Sequence, residues 1–182
     1  MDRDDDPELV ERCRQGDRAA FATLMRRYQR PVYNAALLIL RRADDAGDVA
    51  QTVFLKVWEK LDDYDPQYRF FSWIYRIAVN EALNVSRRYG KEEPLDDESD
   101  LPETAPSDPA LQLDGAQSAA RVRRALMQMS VNDRTVLILR HFAESSYEEI
   151  AHSLGLEIKT VKSRLFSARE RLAQSLKEWK AP

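Results

Sequence analysis

Ser146-Tyr-Glu-Glu-Ile-Ala-His-Ser-Leu-Gly-Leu-Glu-Ile-Lys-Thr-Val-Lys-Ser-Arg-Leu-Phe166 is the stretch on which the reading of this chain turns. Ser145 or Ser146 stands where a helix cap is needed, with Glu148 or Glu149 three residues on to return the bond. Ile150, Ala151 and Leu154 then fall on one side of a short helix, and Gly155 follows at the point where a left-handed residue ends it. A second helix starts at once, with Val161, Leu165, Ala168 and Leu172 turned inward. Two short helices joined by a tight glycine turn make a helix-turn-helix. The outward stripe of the second helix is Lys159, Lys162, Ser163, Phe166, Ser167, Arg169 and Glu170. Its cations suit phosphates, its hydroxyls suit base edges or backbone, and an exposed phenylalanine suits thymine methyl groups. The competing expectation is a solvated helix face with Phe166 in the core.

Working outward, Val122, Leu126 and Met129 begin another helix, Ser130 caps the next with Asp133 three residues on, and Val136–Leu139 is a short buried run. Further upstream the pattern stops. Residues 92–120 hold nine acids and no base, and Pro94, Pro102, Pro106 and Pro109 are half of the eight prolines. So little apolar surface cannot offset the entropy of ordering, and like charges extend the chain. Two readings stand: a solvated tether, or an acidic segment that occupies a basic groove in place of nucleic acid. The segment also explains a misleading net charge of −3. Residues 1–91 sum to +1 and residues 121–182 to +5, so the helix-turn-helix part is basic.

Before that segment the apolar residues again recur at helical spacing. Phe21, Leu24, Met25, Tyr28, Val32, Ala36, Leu37 and Leu40 form one stripe, which Pro31 should kink or divide. Val49, Val53, Phe54, Val57, Trp58 and Leu61 form a second, and Ile74, Ile77, Ala78, Ala82 and Val85 a third. Asp65-Pro66 marks a turn between the last two. No alternating strand pattern occurs. The expected fold is all-α: a small helical bundle over 1–91, an acidic flexible linker over 92–120, and a helix-turn-helix domain over 121–182.

Around Tyr64–Arg88, rings (Tyr64, Tyr68, Phe70, Phe71, Trp73, Tyr75) interleave with Arg69, Arg76, Arg87, Arg88, Asn80 and Asn84. Trp73 is expected in the core. The density of rings beside arginine suits single-stranded or flipped bases better than an intact duplex.

Several classes drop out. One cysteine among 182 residues excludes a disulfide framework and a cysteine-rich zinc site, and fits a reducing cytoplasm. His141 and His152 lack ligand-spaced neighbours, so no metal or cofactor is expected. Five glycines, none in a phosphate-loop spacing, argue against a nucleotide-binding enzyme. The longest apolar run, Val32–Leu40, is too short for a membrane span, and the start MDRDDD is the reverse of a signal peptide.

With these parts in order, the chain resembles the bacterial extracytoplasmic-function (group IV) sigma factors of RNA polymerase. Leu9–Leu40, with Gly16-Asp17 and Ala20-Phe21, resembles the first helices of sigma domain 2. Asp48-Val-Ala-Gln-Thr-Val-Phe-Leu-Lys-Val-Trp58 resembles the core-polymerase-binding helix, and Phe71-Ser-Trp-Ile-Tyr-Arg-Ile-Ala-Val-Asn80 the segment that melts and reads the −10 element. Asp133–Leu172, above all Tyr147-Glu-Glu-Ile-Ala151 and Thr160-Val-Lys-Ser-Arg164, resembles sigma domain 4. The resemblance implies a non-enzymatic cytoplasmic factor whose partners are core RNA polymerase, through the β′ clamp helices and the β flap, and promoter DNA. It implies polymerase contacts at Asp45, Asp48, Gln51, Thr52 and Phe54. Contacts with −10 DNA fall to the turn residues Asp65, Gln67, Tyr68 and Arg69 and to Arg76, Asn80, Arg87 and Arg88. Contacts with −35 DNA fall to Lys159, Thr160, Lys162, Ser163, Arg164, Phe166, Ser167 and Arg169. It also favours the groove-filling reading of the acidic linker, on the path toward the RNA exit channel.

The chain departs from the family pattern at Gly47 and Thr52, where acids are usual. Two missing charges weaken docking on a basic β′ surface, and a threonine at an acidic position is a phosphorylation candidate for a Ser/Thr kinase. The other reading is a tolerated substitution, with affinity supplied elsewhere; control by an anti-sigma factor between the domains is the family's usual alternative. Ser167 stands where arginine is frequent and Glu157 where a capping serine is usual, which leaves the −35 sequence open. The rival function is a stand-alone helix-turn-helix regulator, which accounts for residues 145–172 alone.

Overall fold

Leu24, Tyr28, Val32 and Ala36 lie on one side of a 23-residue helix, and each is almost wholly buried. This helix is the centre of the N-terminal domain. The computed structural model describes residues 5–92 and 113–178, with side chains over 5–89 and 120–177. Among these are eight α-helices, one 3-10 turn and no strand: α1 (Asp6–Arg14), α2 (Arg18–Leu40), α3 (Ala43–Glu59), the 3-10 turn Leu61–Asp63, α4 (Phe70–Glu92), α5 (Leu113–Gln128), α6 (Val131–His141), α7 (Tyr147–Leu154) and α8 (Ile158–Glu178).

α2 packs against α1, α3 and α4. Its start is set by Asp17, whose Oδ1 accepts from the amides of Ala19 (2.9 Å) and Ala20 (3.1 Å), satisfying donors that have no partner within the helix. Pro31 lies inside α2, and the helix runs through it to Leu40. Burial of Tyr28, Val32, Ala35 and Ala36 on both sides of the proline outweighs the one lost backbone bond, since each large buried side chain contributes about 1.5–3 kcal/mol. Of the expected kink or division at Pro31, the division is corrected: α2 is one continuous helix. α1 is held by a buried carboxylate: Asp6, 1% exposed, accepts from Tyr28 Oη and Arg27 Nη1.

In the C-terminal domain both expected caps are present. Ser130 Oγ accepts from Asp133 N (3.2 Å). Ser146 Oγ accepts from Glu149 N (3.1 Å) while Glu149 Oε2 accepts from Ser146 N (2.8 Å), a complete capping box. Gly155 ends α7 at φ 65°, a conformation a side chain disfavours. α8 lays Val161, Leu165 and Ala168 against α6 and α7. α5 begins at Leu113, inside the stretch expected as linker, because Ala116, Ala119 and Ala120 continue the helix backward from Val122. Residues 93–112, on which the two linker readings fall, lie outside the described residues.

The two domains touch through a buried cation. Arg134 on α6 is 0% exposed. Its Nη1 donates to the carbonyls of Leu126 (3.4 Å), Met127 (3.2 Å) and Met129 (3.5 Å), and its Nη2 to Ile39 O (3.3 Å). Arg41 reaches Met127 O and Met129 O from the other side. These carbonyls close the C-terminal ends of α5 and α2, where unpaired acceptors and the helix dipole favour positive charge. Burial, then the charge of Arg41, lowers the Arg134 guanidinium to about 10, so it stays charged at neutral pH.

Candidate nucleic-acid and polymerase interfaces

The outer face of α8 is open. Lys159, Lys162, Ser163, Phe166, Arg169 and Glu170 are exposed, and Phe166 is 64% exposed. A ring that exposed has no place in the core, which decides the alternative for Phe166. Thr160, Arg164 and Ser167 are half-buried at the edges of the stripe. Ser163 Oγ donates back to Thr160 O (3.1 Å). Lys162 also lies over the Tyr147 ring (5.5 Å), which Arg140 flanks at 5.2 Å, tying α7 to α8 by cation–π attraction.

On α3 the exposed stripe is Asp48, Gln51, Thr52, Leu55 and Trp58, residues three or four apart and so on one face. Leu55 is 67% exposed and Trp58 39%, with Trp58 edge-on to Phe21 at 4.8 Å. Phe54, by contrast, is 6% exposed and faces the core, so its expected partner contact is corrected: Leu55, one residue on, is the apolar side chain that points out. Asp45 is also turned inward. Arg42 Nε lies 2.9 Å from its Oδ2 and Tyr89 Oη donates to its Oδ1 at 2.9 Å, a clamp between the start of α3 and α4. The Asp45 bond holds the Tyr89 hydroxyl above its ordinary value. Thr52 Oγ1 is exposed and donates to Asp48 O at 3.0 Å.

The turn before α4 is built by its own side chains. Asp65 Oδ1 accepts from Gln67 N (2.9 Å), and Tyr64 Oη donates to Tyr68 O (2.7 Å). Arg14 of α1 donates to Leu61 O (2.8 Å) and Tyr64 O (2.7 Å) from behind. Asp65 thus shapes the turn, and Tyr68 stands out from it at 68% exposure. Most of the other rings belong to the core, as expected for Trp73. Tyr64, Phe70 and Tyr75 are buried, and Phe71 and Trp73 pack against them. Asn80 Oδ1 is buried without a hydrogen-bond partner among the described residues. Arg69, Arg76 and Arg87 lie along one side of α4 and its approach, and each meets the C-terminal domain. Arg69 Nη1 is 2.9 Å from Glu144 Oε1, Arg76 pairs with Glu149, and Arg87 Nη2 reaches Ser153 O at 3.5 Å. Arg88 is exposed.

Residues 24–92 match the Sigma-70 region 2 family and residues 119–172 match Sigma-70, region 4. The chain belongs to the extracytoplasmic-function class of the sigma-70 family. It is 33% identical to the RNA polymerase sigma-H factor of Pseudomonas aeruginosa, over 97% of this chain and 96% of that one. It is 35% identical to the ECF RNA polymerase sigma-E factor of Escherichia coli K12, over 91% of each. A solved structure of the Bartonella quintana sigma factor RpoE with the anti-sigma factor NepR is similar at a TM-score of 0.61 and 26% identity, covering 86% of this chain and 96% of that one.

As a sigma factor the protein directs transcription initiation, is not an enzyme, and acts with core RNA polymerase and promoter DNA. Within it, the matched region 2 holds the α3 stripe and the α4 arginines, and the matched region 4 holds the α8 face. Among the described residues there is no His, Cys, Asp or Glu group placed to hold a metal, and no helix long and apolar enough to cross a membrane. Sequence reasoning missed Leu55, although its spacing from Asp48, Gln51 and Thr52 on one helical face was a usable signal. It also missed Glu144 and Glu149 as partners of the arginines, for which no local signal exists.

Proposed function

We propose that this sigma factor reads the −35 element with the outer face of α8 and the −10 non-template strand with the Asp65–Arg69 turn and α4. The observation that carries the −35 half is Phe166, 64% exposed between Lys159, Lys162 and Ser163 on the helix that follows the Gly155 turn. Apolar and cationic groups mixed on one open helix face suit the major groove. Tyr68 at the tip of a rigid turn, with Arg69 beside it, supports stacking of an unpaired base. Core polymerase docks on the α3 stripe, with Asp48, Gln51 and Thr52 supplying polar contacts and Leu55 and Trp58 the apolar ones. The protein works in the cytoplasm, with the polymerase.

Control falls to Thr52. Its hydroxyl is exposed on that stripe beside Asp48, and Gly47 leaves the usual acidic surface one further charge short. A phosphate brings about −1.5 to −2 charge and three acceptors to the polymerase-facing side, so a Ser/Thr kinase licenses docking. An anti-sigma factor, of the kind that the Bartonella quintana relative binds, is the other regulator the domain pair accommodates.

Core polymerase mixed with the full chain, with and without kinase treatment, and with transcript starts sequenced, tests the whole reading. Phe166→Ala or Lys162→Ala should lower promoter-specific transcription while core binding persists; loss of core binding instead would remove α8 from DNA reading. Thr52→Glu should bind core more tightly than Thr52→Ala, and equal binding by both and by wild type would end the switch.

A further inference from the structure

Arg14, the last residue of α1, is bonded to the segment that leads into the Tyr68 turn. Its Nε and Nη2 both donate to Leu61 O (3.2 and 2.8 Å), and Nη2 also donates to Tyr64 O (2.7 Å). The guanidinium is a planar fork, so one side chain holds two carbonyls at a fixed separation, which a lysine cannot do. A second bond carries the constraint onward. Tyr64 is 3% exposed, with its ring 5.3 Å from Phe70 and 5.4 Å from Trp73, and its hydroxyl donates to Tyr68 O at 2.7 Å. α1 is fixed at its other end too. There buried Asp6 accepts from Tyr28 Oη and Arg27, and Arg27 Nη2 also donates to Asp5 (2.9 Å). The Tyr28 ring lies 5.4 Å from that of Phe70, the first residue of α4. α1 therefore ties the turn in front of α4 to the core beneath it. The matched region 2 begins at residue 24, so neither α1 nor Arg14 falls within it.

We propose that α1 is a strut for −10 reading and that Arg14 is its positioning residue. It acts through the Leu61 and Tyr64 carbonyls and, one bond further, through Tyr68, and not on DNA itself. The proposal rests on the reading of the Asp65–Arg69 turn as a −10 contact. Residues 64–69 form no helix, so side-chain bonds rather than a helical ladder fix where Tyr68 stands. Ordering such a segment in advance removes an entropic cost from the capture of an unpaired base. Without the bonds the turn samples other forms, and apparent affinity falls with the fraction in the reading form. That fraction matters most for a base that must fit the turn, and least for phosphates, which any nearby arginine holds. Losing the strut therefore lowers discrimination between bases more than it lowers total binding.

The test uses the full chain with core polymerase and a fluorescent pool of short single-stranded DNA of randomised sequence. Sequencing the strands that the holoenzyme retains gives base preference by position, and anisotropy of the whole pool gives total affinity. Arg14→Ala removes both carbonyl bonds, while Tyr64→Phe removes the Tyr68 bond and keeps the ring in the core. Arg14→Ala should reduce base preference about tenfold and Tyr64→Phe about threefold, the worth of a charged and of a neutral hydrogen bond. Core binding should persist in both. Arg12→Ala, which takes the same charge from α1 at an exposed pair with Asp17, should match wild type. A uniform loss of affinity with preference retained, or a loss of core binding, makes Arg14 structural only and overturns the positioning role. Tyr68→Ala separates the strut from the reading beneath it. If Tyr68→Ala flattens the preference while the Arg14 and Tyr64 variants keep it, the strut is overturned and the turn still reads DNA. If Tyr68→Ala keeps the preference too, the turn itself is removed from −10 reading. Should Arg14→Ala fail to fold, Tyr64→Phe alone decides.

Discussion

Two basic faces of this sigma factor are made from the same kinds of residue and stand in opposite states. On α8, Lys159 and Lys162 are exposed with Phe166, and Lys162 lies over Tyr147 of its own domain. Along α4 and the turn before it, Arg69, Arg76 and Arg87 each meet an acceptor from the other domain. Charge and residue type say what a face is able to bind. What it holds in the free chain depends on which acceptors the packing brings opposite. The difference also predicts where substitutions are felt: strongly beneath the covered face, weakly on the open one.

The strongest way to break the covered face is Arg134→Ala. It leaves a cavity and unpaired carbonyls at two helix ends, and should cost about 3 kcal/mol. Urea denaturation should then resolve two transitions where wild type gives one, since Ile39 O belongs to the N-terminal domain. A loss below about 1 kcal/mol would mean that water replaces the guanidinium without penalty. Ser146→Ala should cost about 1 kcal/mol through loss of the capping box, read in the C-terminal transition, and loosens Glu149 on Arg76.

A smaller effect comes from His141. Burial, then the charges of Arg169 and Arg140, lowers its imidazole below the ordinary 6.5. The folded domain therefore favours the neutral ring. Its contribution is fully present above about pH 6.5 and is lost as pH falls through the lower, folded value. His141→Gln should flatten that acid-side slope, and an unchanged slope would assign it to carboxylates. At the small end, Phe166→Ala should change stability by less than about 0.5 kcal/mol, because an exposed ring loses no packing. A clear destabilisation would show that the open face is partly structural.

Much of the fold was legible along the chain. Ser130, Ser146 and Glu149, Gly155, and the Val161, Leu165 and Ala168 stripe all act within a few residues of themselves, so their spacing is their meaning. Pro31 misled because its local penalty is set against burial of Tyr28, Val32 and Ala36, which depends on α3 and α4. The candidate faces were legible in outline. Within them, one-residue assignments failed at Phe54, where a helical step of 100° separates core from surface, and at Asp45, which Arg42 and Tyr89 claim.

The sequence by itself determined the helices, their caps, the glycine turn and the family, because each is carried by side chains close together in the chain. Only the tertiary structure decided which polar groups are offered and which are spent. Arg76 and Glu149 are 73 residues apart and Arg134 and Ile39 are 95 apart. No local periodicity encodes such pairs. They form because burying the apolar contact around Tyr75 and Phe142 brings a row of arginines against two carboxylates.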